Sequence, residues 1–150
     1  MPVEAKDRIT CHVLDTSLGR PARGIRVKLE LSAPSTASPH HGVTPASRVF
    51  ESQTDEDGRI KAWLPYSSET SSGEVPVYTL EDVLGEVEAE SEKNKVGASR
   101  WTLRFDTAAY FGEENTFFPE VTVVFTVQQG QHYHVPVLLS PYSYTTYRGS

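Results

Sequence analysis

The feature that most constrains this chain is an alternation of apolar and polar residues with period two. Ile9, Cys11 and Val13 alternate with Thr10, His12 and Leu14, and Ile25, Val27, Leu29 and Leu31 alternate with Arg26, Lys28 and Glu30. Trp101, Leu103 and Phe105 form a third set, Val121, Val123, Phe125 and Val127 a fourth, and Tyr133, Val135, Val137 and Leu139 a fifth. Successive side chains of a strand point to opposite faces, so each set predicts a strand with one face in a core. Weaker strands are expected at Val49 to Thr54, Arg59 to Leu64 and Tyr142 to Tyr147, with Asp55-Glu56-Asp57-Gly58 as the turn between the first two. About eight short strands separated by turns argue for an all-β antiparallel sandwich or barrel.

Helix is scarce. Thr107 to Gly112 suits one or two turns, with Asp106 or Thr107 as N-cap. Leu80, Val83, Leu84 and Val87 follow the spacing of one helix face, which Gly85 weakens. That second helix falls in an inserted segment, Tyr66 to Ala98, holding eight acids and two bases. The segment's net charge of −6 equals that of the whole chain, so the remainder is neutral. No basic stripe exists, which excludes nucleic acid as the expected partner. A second insertion, Ala33 to Ser47, is rich in Ser, Pro, Ala, Thr and His and reads as a long loop.

With 150 residues, the expectation is one domain over 1–150. No apolar run reaches the ~20 residues that span a bilayer, so no membrane is expected. Met1 to Arg8 is polar and mixed in charge, unlike a secretory signal. A single cysteine, Cys11, excludes an internal disulfide and fits a reducing compartment. The cytoplasm is the expected location; a peroxisomal one stays open, although the chain does not end in the Ser-Lys-Leu import tripeptide.

Candidate chemistry lies opposite the apolar faces. If Tyr133, Val135, Val137 and Leu139 face the core, then His132, His134, Pro136 and Leu138 share the other face, with the two histidines about 7 Å apart at Cα. His12 faces outward beside Thr10 and Leu14 by the same logic. Histidines flanked by Leu14 and Leu138 suit a face covered by another subunit. Taken singly, each histidine reads as a polar surface residue. His132 with His134 has the spacing of a metal pair, but no carboxylate or cysteine accompanies them. Arg59 alone suits a surface ion pair with Asp57 or Glu56. The tail, Ser140 to Ser150, stays aromatic and polar to its last residue, where chain ends usually fray. Pro136 removes a ladder donor from its strand, so a bulge or an unpaired position is expected there.

In combination these stretches resemble the 5-hydroxyisourate hydrolase family, the enzymatic relatives of transthyretin. The matching motifs are His12-Val13-Leu14-Asp15-Thr16 with Gly19-Arg20-Pro21-Ala22, and Thr54-Asp55-Glu56-Asp57-Gly58-Arg59. Phe105-Asp106-Thr107, Tyr110-Phe111 and Phe118-Pro119-Glu120-Val121 follow, then His132-Tyr133-His134-Val135-Pro136 with Leu138-Leu139-Ser140-Pro141. Tyr147-Arg148-Gly149-Ser150 closes the sequence as the family's signature tetrapeptide. The resemblance implies a transthyretin-like sandwich of two four-stranded antiparallel sheets with one short helix. It implies a homotetramer with active sites in a channel at the dimer-dimer interface. It implies hydrolysis of 5-hydroxyisourate, the product of urate oxidation, on the route to allantoin, without metal or cofactor. The catalytic residues would be His12, Arg59 and His134, and Tyr147, Arg148, Gly149 and Ser150 would bind substrate. His132 is expected at the rim of the site. The alternative is a non-enzymatic transthyretin-like carrier of a small aromatic ligand, which would lack the two histidines, the arginine and the terminal tetrapeptide.

Overall fold

The computed structural model describes residues 6–32, 49–65, 79–94 and 98–150, apart from the side chains of 90–94. In chain order the elements are β1 (Ile9–Asp15), β2 (Arg20–Pro21), β3 (Arg26–Leu31), β4 (Val49–Gln53), β5 (Arg59–Ile60) and β6 (Leu64–Pro65). There follow α1 (Leu80–Asn94), β7 (Ala98–Phe105), α2 (Thr107–Phe111), β8 (Val121–Gln128), β9 (Tyr133–Ser140) and β10 (Ser143–Thr146). The insertion Ala33 to Ser47, with His40 and His41, lies outside the described residues, as does most of Tyr66 to Thr79.

The five alternating sets form strands where their pattern puts them. Ile9, Cys11 and Val13 of β1 are fully buried against Leu29, Trp101, Leu103, Phe105, Val137 and Leu139 from both sheets. This burial of alternate residues is what holds the two layers together. Burial also pushes the Cys11 thiol pKa up, so this cysteine is a core apolar residue and not a nucleophile.

The sheets differ from two simple antiparallel layers of four. One runs β10-β9-β1, and the remaining edge of β1 is shared end to end by β2 and β5. The other runs β6-β4-β3-β7-β8. The expected strand Arg59 to Leu64 is divided. Arg59–Ile60 pairs with β1, whereas Leu64–Pro65 pairs with β4 in the opposite sheet. The turn before Arg59 is therefore a crossover between sheets and not a hairpin. The β1–β9 pair is parallel, which is possible because the two strands are joined by nearly the whole chain.

Asp55 shapes the crossover: its Oδ1 accepts from the backbone N–H groups of Asp57 and Arg59, each at 2.9 Å. Gly58 then passes so close to β1 that a Cβ there would stand 2.3 Å from the Val13 carbonyl oxygen. Its φ of 74° also favours glycine. Val13 N–H donates to the Gly58 carbonyl at 2.7 Å, locking the crossover to β1.

The helical spacing in the acidic segment is realised in α1. Thr79 and Asp82 cap its start reciprocally, at 3.0 and 3.1 Å. Leu80, Val83 and Leu84 are buried, and Val87 packs against them. Arg8, just before β1, holds Glu88 at 2.5 Å and Glu81 at 3.4 Å. Gly85 meets nothing, since it lies on the exposed side. Asp106 is the N-cap of α2, accepting from Ala109 N–H at 3.1 Å. Among the described residues, no helix is long and apolar enough to cross a membrane.

Candidate active site

Three elements of the first sheet bring His12, Arg59 and His134 together on its outer face. In the antiparallel β1–β5 register His12 stands opposite Arg59. In the parallel β1–β9 register Thr10 stands opposite His134, and His12 opposite Pro136. Directly opposed residues share a face, so the imidazoles sit on a diagonal. Their ring centroids are 6.4 Å apart and the rings are tilted by 32°. Leu14 and Leu138 are opposite each other two positions further on.

Each imidazole is held at one nitrogen. His12 Nε2 lies 2.9 Å from the Asp57 carbonyl oxygen in the crossover. A carbonyl only accepts, so Nε2 carries a hydrogen, and in the neutral ring the lone pair is then on Nδ1. His134 Nδ1 lies 2.8 Å from the Thr10 hydroxyl. The pKa of His134 is lowered, first by burial, then by the positive charge of Arg59 and by His12 and Lys6. Neutral imidazole is the form that can accept a proton from water. The Arg59 guanidinium is exposed and supplies a fork of donors beside it.

The tail returns to the same strand. Gly149 forms an antiparallel bridge with His134, its N–H donating to the His134 carbonyl at 2.8 Å. A Cβ at Gly149 would lie 2.8 Å from His134 Cδ2 and 3.0 Å from Pro136 Cγ, so the backbone itself covers the imidazole's edge. The ladder from β10 runs to Val137–Thr146 and resumes in the same register at His134–Gly149. Pro136 therefore falls opposite Tyr147, where it offers no N–H. The expected unpaired position is there, and Thr146 Oγ1 donates to the Pro136 carbonyl at 2.9 Å instead.

The terminal side chains separate. Arg148 turns away from the histidine face and sets its guanidinium 4.8 Å from the centroid of Tyr133, a ring buried at the sandwich edge. Tyr147 is 58% exposed, and Ser150 is exposed too. Tyr147 and Arg148 line one groove with His134, Val124 and Phe125. His132 lies just outside the strand: β9 begins at Tyr133, and His132 is exposed in the short segment before it. Among the described residues, no group of three His, Cys, Asp or Glu is placed to hold a metal ion.

The HIUase/Transthyretin family matches residues 9–149, which include His12, Arg59, His134 and Gly149. The chain belongs to this family. A probable 5-hydroxyisourate hydrolase of Schizosaccharomyces pombe is 33% identical, over 95% of this chain and 90% of its own length. The uric acid degradation bifunctional protein TTL of Arabidopsis thaliana is 38% identical over 99% of this chain. The chain spans only 39% of that bifunctional protein. The structure of Klebsiella pneumoniae 5-hydroxyisourate hydrolase superposes with a TM-score of 0.57 at 24% identity, covering 95% of this chain and 98% of that one, a likeness of fold.

Two participants escape a reading of this family member from sequence. The Asp57 carbonyl belongs to the backbone and leaves no residue-type signal. Thr10 shares a face with His12 by simple alternation, but its partner across the sheet depends on the β1–β9 register.

Proposed function

We propose that the chain is a hydrolase that opens the six-membered ring of 5-hydroxyisourate at a cyclic amide bond. The product is 2-oxo-4-hydroxy-4-carboxy-5-ureidoimidazoline, on the way from urate to allantoin. The observation that carries this reading is the convergence of two imidazoles and a guanidinium on one sheet face, with the Gly149 backbone laid against His134. The names borne by relatives over nearly the full chain agree with it.

His134 acts as general base in this proposal. It takes a proton from water at Nε2 as the water oxygen attacks the ring carbonyl, an effect worth about 10²–10⁴-fold. Arg59 donates to the carbonyl oxygen as it becomes an oxyanion. The C–N bond then breaks, and the proton held on His134 passes to the leaving nitrogen. His12, fixed by the Asp57 carbonyl, orients the water through its Nδ1. Gly149 and Ser150 bound the pocket by their backbone, and Tyr147 supplies an aromatic wall. Arg148 serves it indirectly, by anchoring the tail on Tyr133.

Assembly completes the site. Leu14 and Leu138 flank the histidines on a face that is open in one subunit, which suits a homotetramer with sites at the dimer-dimer interface. Tyr147 is exposed in one subunit and would be covered there. The test is the decay of freshly generated 5-hydroxyisourate, followed spectroscopically. Accelerated decay supports the hydrolase; binding of a small aromatic ligand with no acceleration would leave the carrier reading instead. A monomer by size-exclusion mass would remove the interface site.

A further inference from the structure

Thr10 lies two residues before His12 on the outer face of β1 and directly opposite His134. Its hydroxyl oxygen is 2.8 Å from His134 Nδ1 and 3.4 Å from the Tyr133 carbonyl oxygen, to which it donates. A hydroxyl has a single hydrogen. Directed at the carbonyl, it leaves only lone pairs for the imidazole. Nδ1 then supplies the hydrogen of the shorter bond, and the lone pair of the neutral ring resides on Nε2.

We infer that Thr10 is a positioning residue that fixes His134 in the Nδ1–H tautomer and so keeps Nε2 free to act as the base. This rests on the hydrolytic reading of the site. Other groups near the ring cannot replace it. Arg59 on β5 and Lys6 before β1 carry only donors. His12 on β1 is 6.4 Å away between ring centroids, and its Nε2 is engaged by Asp57. From the tail, Tyr147 and Arg148 line the groove, but Arg148 lies on Tyr133 and Gly149 bonds through its backbone to the His134 carbonyl. Without an acceptor at Nδ1 the neutral ring populates both tautomers, and a hydrogen on Nε2 blocks proton uptake from water.

The two imidazoles are thereby given opposite tautomers by neighbouring oxygens, the Asp57 carbonyl for one and the Thr10 hydroxyl for the other. The pair then offers two different free nitrogens, Nδ1 of His12 and Nε2 of His134, on the one sheet face.

The experiment uses full-length protein and the variants Thr10→Val, Thr10→Ser and Thr10→Ala. Long-range ¹H–¹⁵N NMR without substrate reads which His134 nitrogen is protonated at neutral pH, and kcat/KM on 5-hydroxyisourate is measured as a function of pH. Wild type should show His134 protonated at Nδ1. Thr10→Val, nearly isosteric, should shift the ring toward Nε2–H and lower kcat/KM by about 3- to 10-fold, the worth of one net hydrogen bond, mostly in kcat. Thr10→Ser should restore both. Should Thr10→Val fail to fold, Thr10→Ala gives the same reading. An Nε2–H tautomer in wild type, or an unchanged tautomer and pH profile without the hydroxyl, would overturn the assignment. The tautomer is read without substrate. Failure to hydrolyse 5-hydroxyisourate would therefore strike the functional proposal and leave the tautomer result intact.

Discussion

Two polar clusters that β1 helps to build have opposite characters. At the C-terminal end of β1, Asp15 is 2% exposed and fully engaged. Its Oδ1 accepts from Ser17 N–H at 2.9 Å, Ser17 Oγ at 2.5 Å and Leu18 N–H at 3.2 Å, and its Oδ2 accepts from Tyr110 Oη at 2.8 Å. Burial alone would raise the Asp15 pKa, but these hydrogen bonds outweigh it and hold the carboxyl below its usual range. The Tyr110 hydroxyl is pushed up to about 12 by burial and by this bond. Three residues earlier, the histidine pair is half-buried, and among the described residues no hydrogen bond reaches His134 Nε2 or His12 Nδ1. A buried polar group with both oxygens hydrogen-bonded fixes structure. A pair of imidazoles each held at one nitrogen retains a place for a proton to go.

The largest test of this contrast is His134→Asn, which should cut turnover of 5-hydroxyisourate by about 10²–10⁴-fold while leaving the thermal midpoint and assembly near those of wild type. Near-normal turnover would remove His134 from the chemistry. Wild-type kcat/KM should fall only as pH drops below the ordinary imidazole value of 6.5, because the His134 pKa is lowered and its neutral form persists. Deleting Tyr147 to Ser150 removes the backbone that covers His134 and should cost about 10²-fold or more in kcat/KM with the core intact. An active truncated enzyme would make the tail dispensable.

Asp15→Asn should behave in the opposite way. Loss of the charged acceptor should destabilise the fold by about 1.5–3 kcal/mol, read by denaturant unfolding, with kcat little changed in the folded fraction. Because the folded-state pKa of Asp15 is lowered, its contribution is present above the unfolded value of about 3.9 and is lost as pH falls through the folded one. The variant should therefore flatten the acid side of the stability curve. A large kcat loss in Asp15→Asn would dissolve the distinction between the clusters. The smallest expected effect is that of exhaustive chelation, which should leave activity unchanged; a loss restored by zinc would bring back the metal reading of His132 and His134.

Much of the fold is legible because period-two burial is a local property. The inward sets of β1, β3, β7, β8 and β9 follow from alternation alone, with Phe125 and Leu31 only partly buried near the sandwich edges. The position of His12 and His134 outside the core follows from the same rule. The fate of Arg59 to Leu64 was not legible, because a stretch of six residues with weak alternation does not say which sheet each end will join. His132 lies beyond the reach of that rule: alternation assigns a face only inside a strand, and the strand starts one residue later. The placement of Arg148 needed the register of the tail, which puts Gly149 opposite His134 and turns Arg148 to the other side.

The sequence by itself determined the five long alternating strands, their buried faces, the helix-forming stripe of the acidic segment and the residue types offered for chemistry. These depend on side-chain order along a few residues. Only the tertiary structure decided that the Asp55 crossover delivers Arg59 to His12, that a parallel pairing sets Thr10 against His134, and that Gly149 lies on that imidazole. Each of those contacts joins residues distant in sequence, and the geometry that unites them is set by packing two sheets against one another rather than by any local preference.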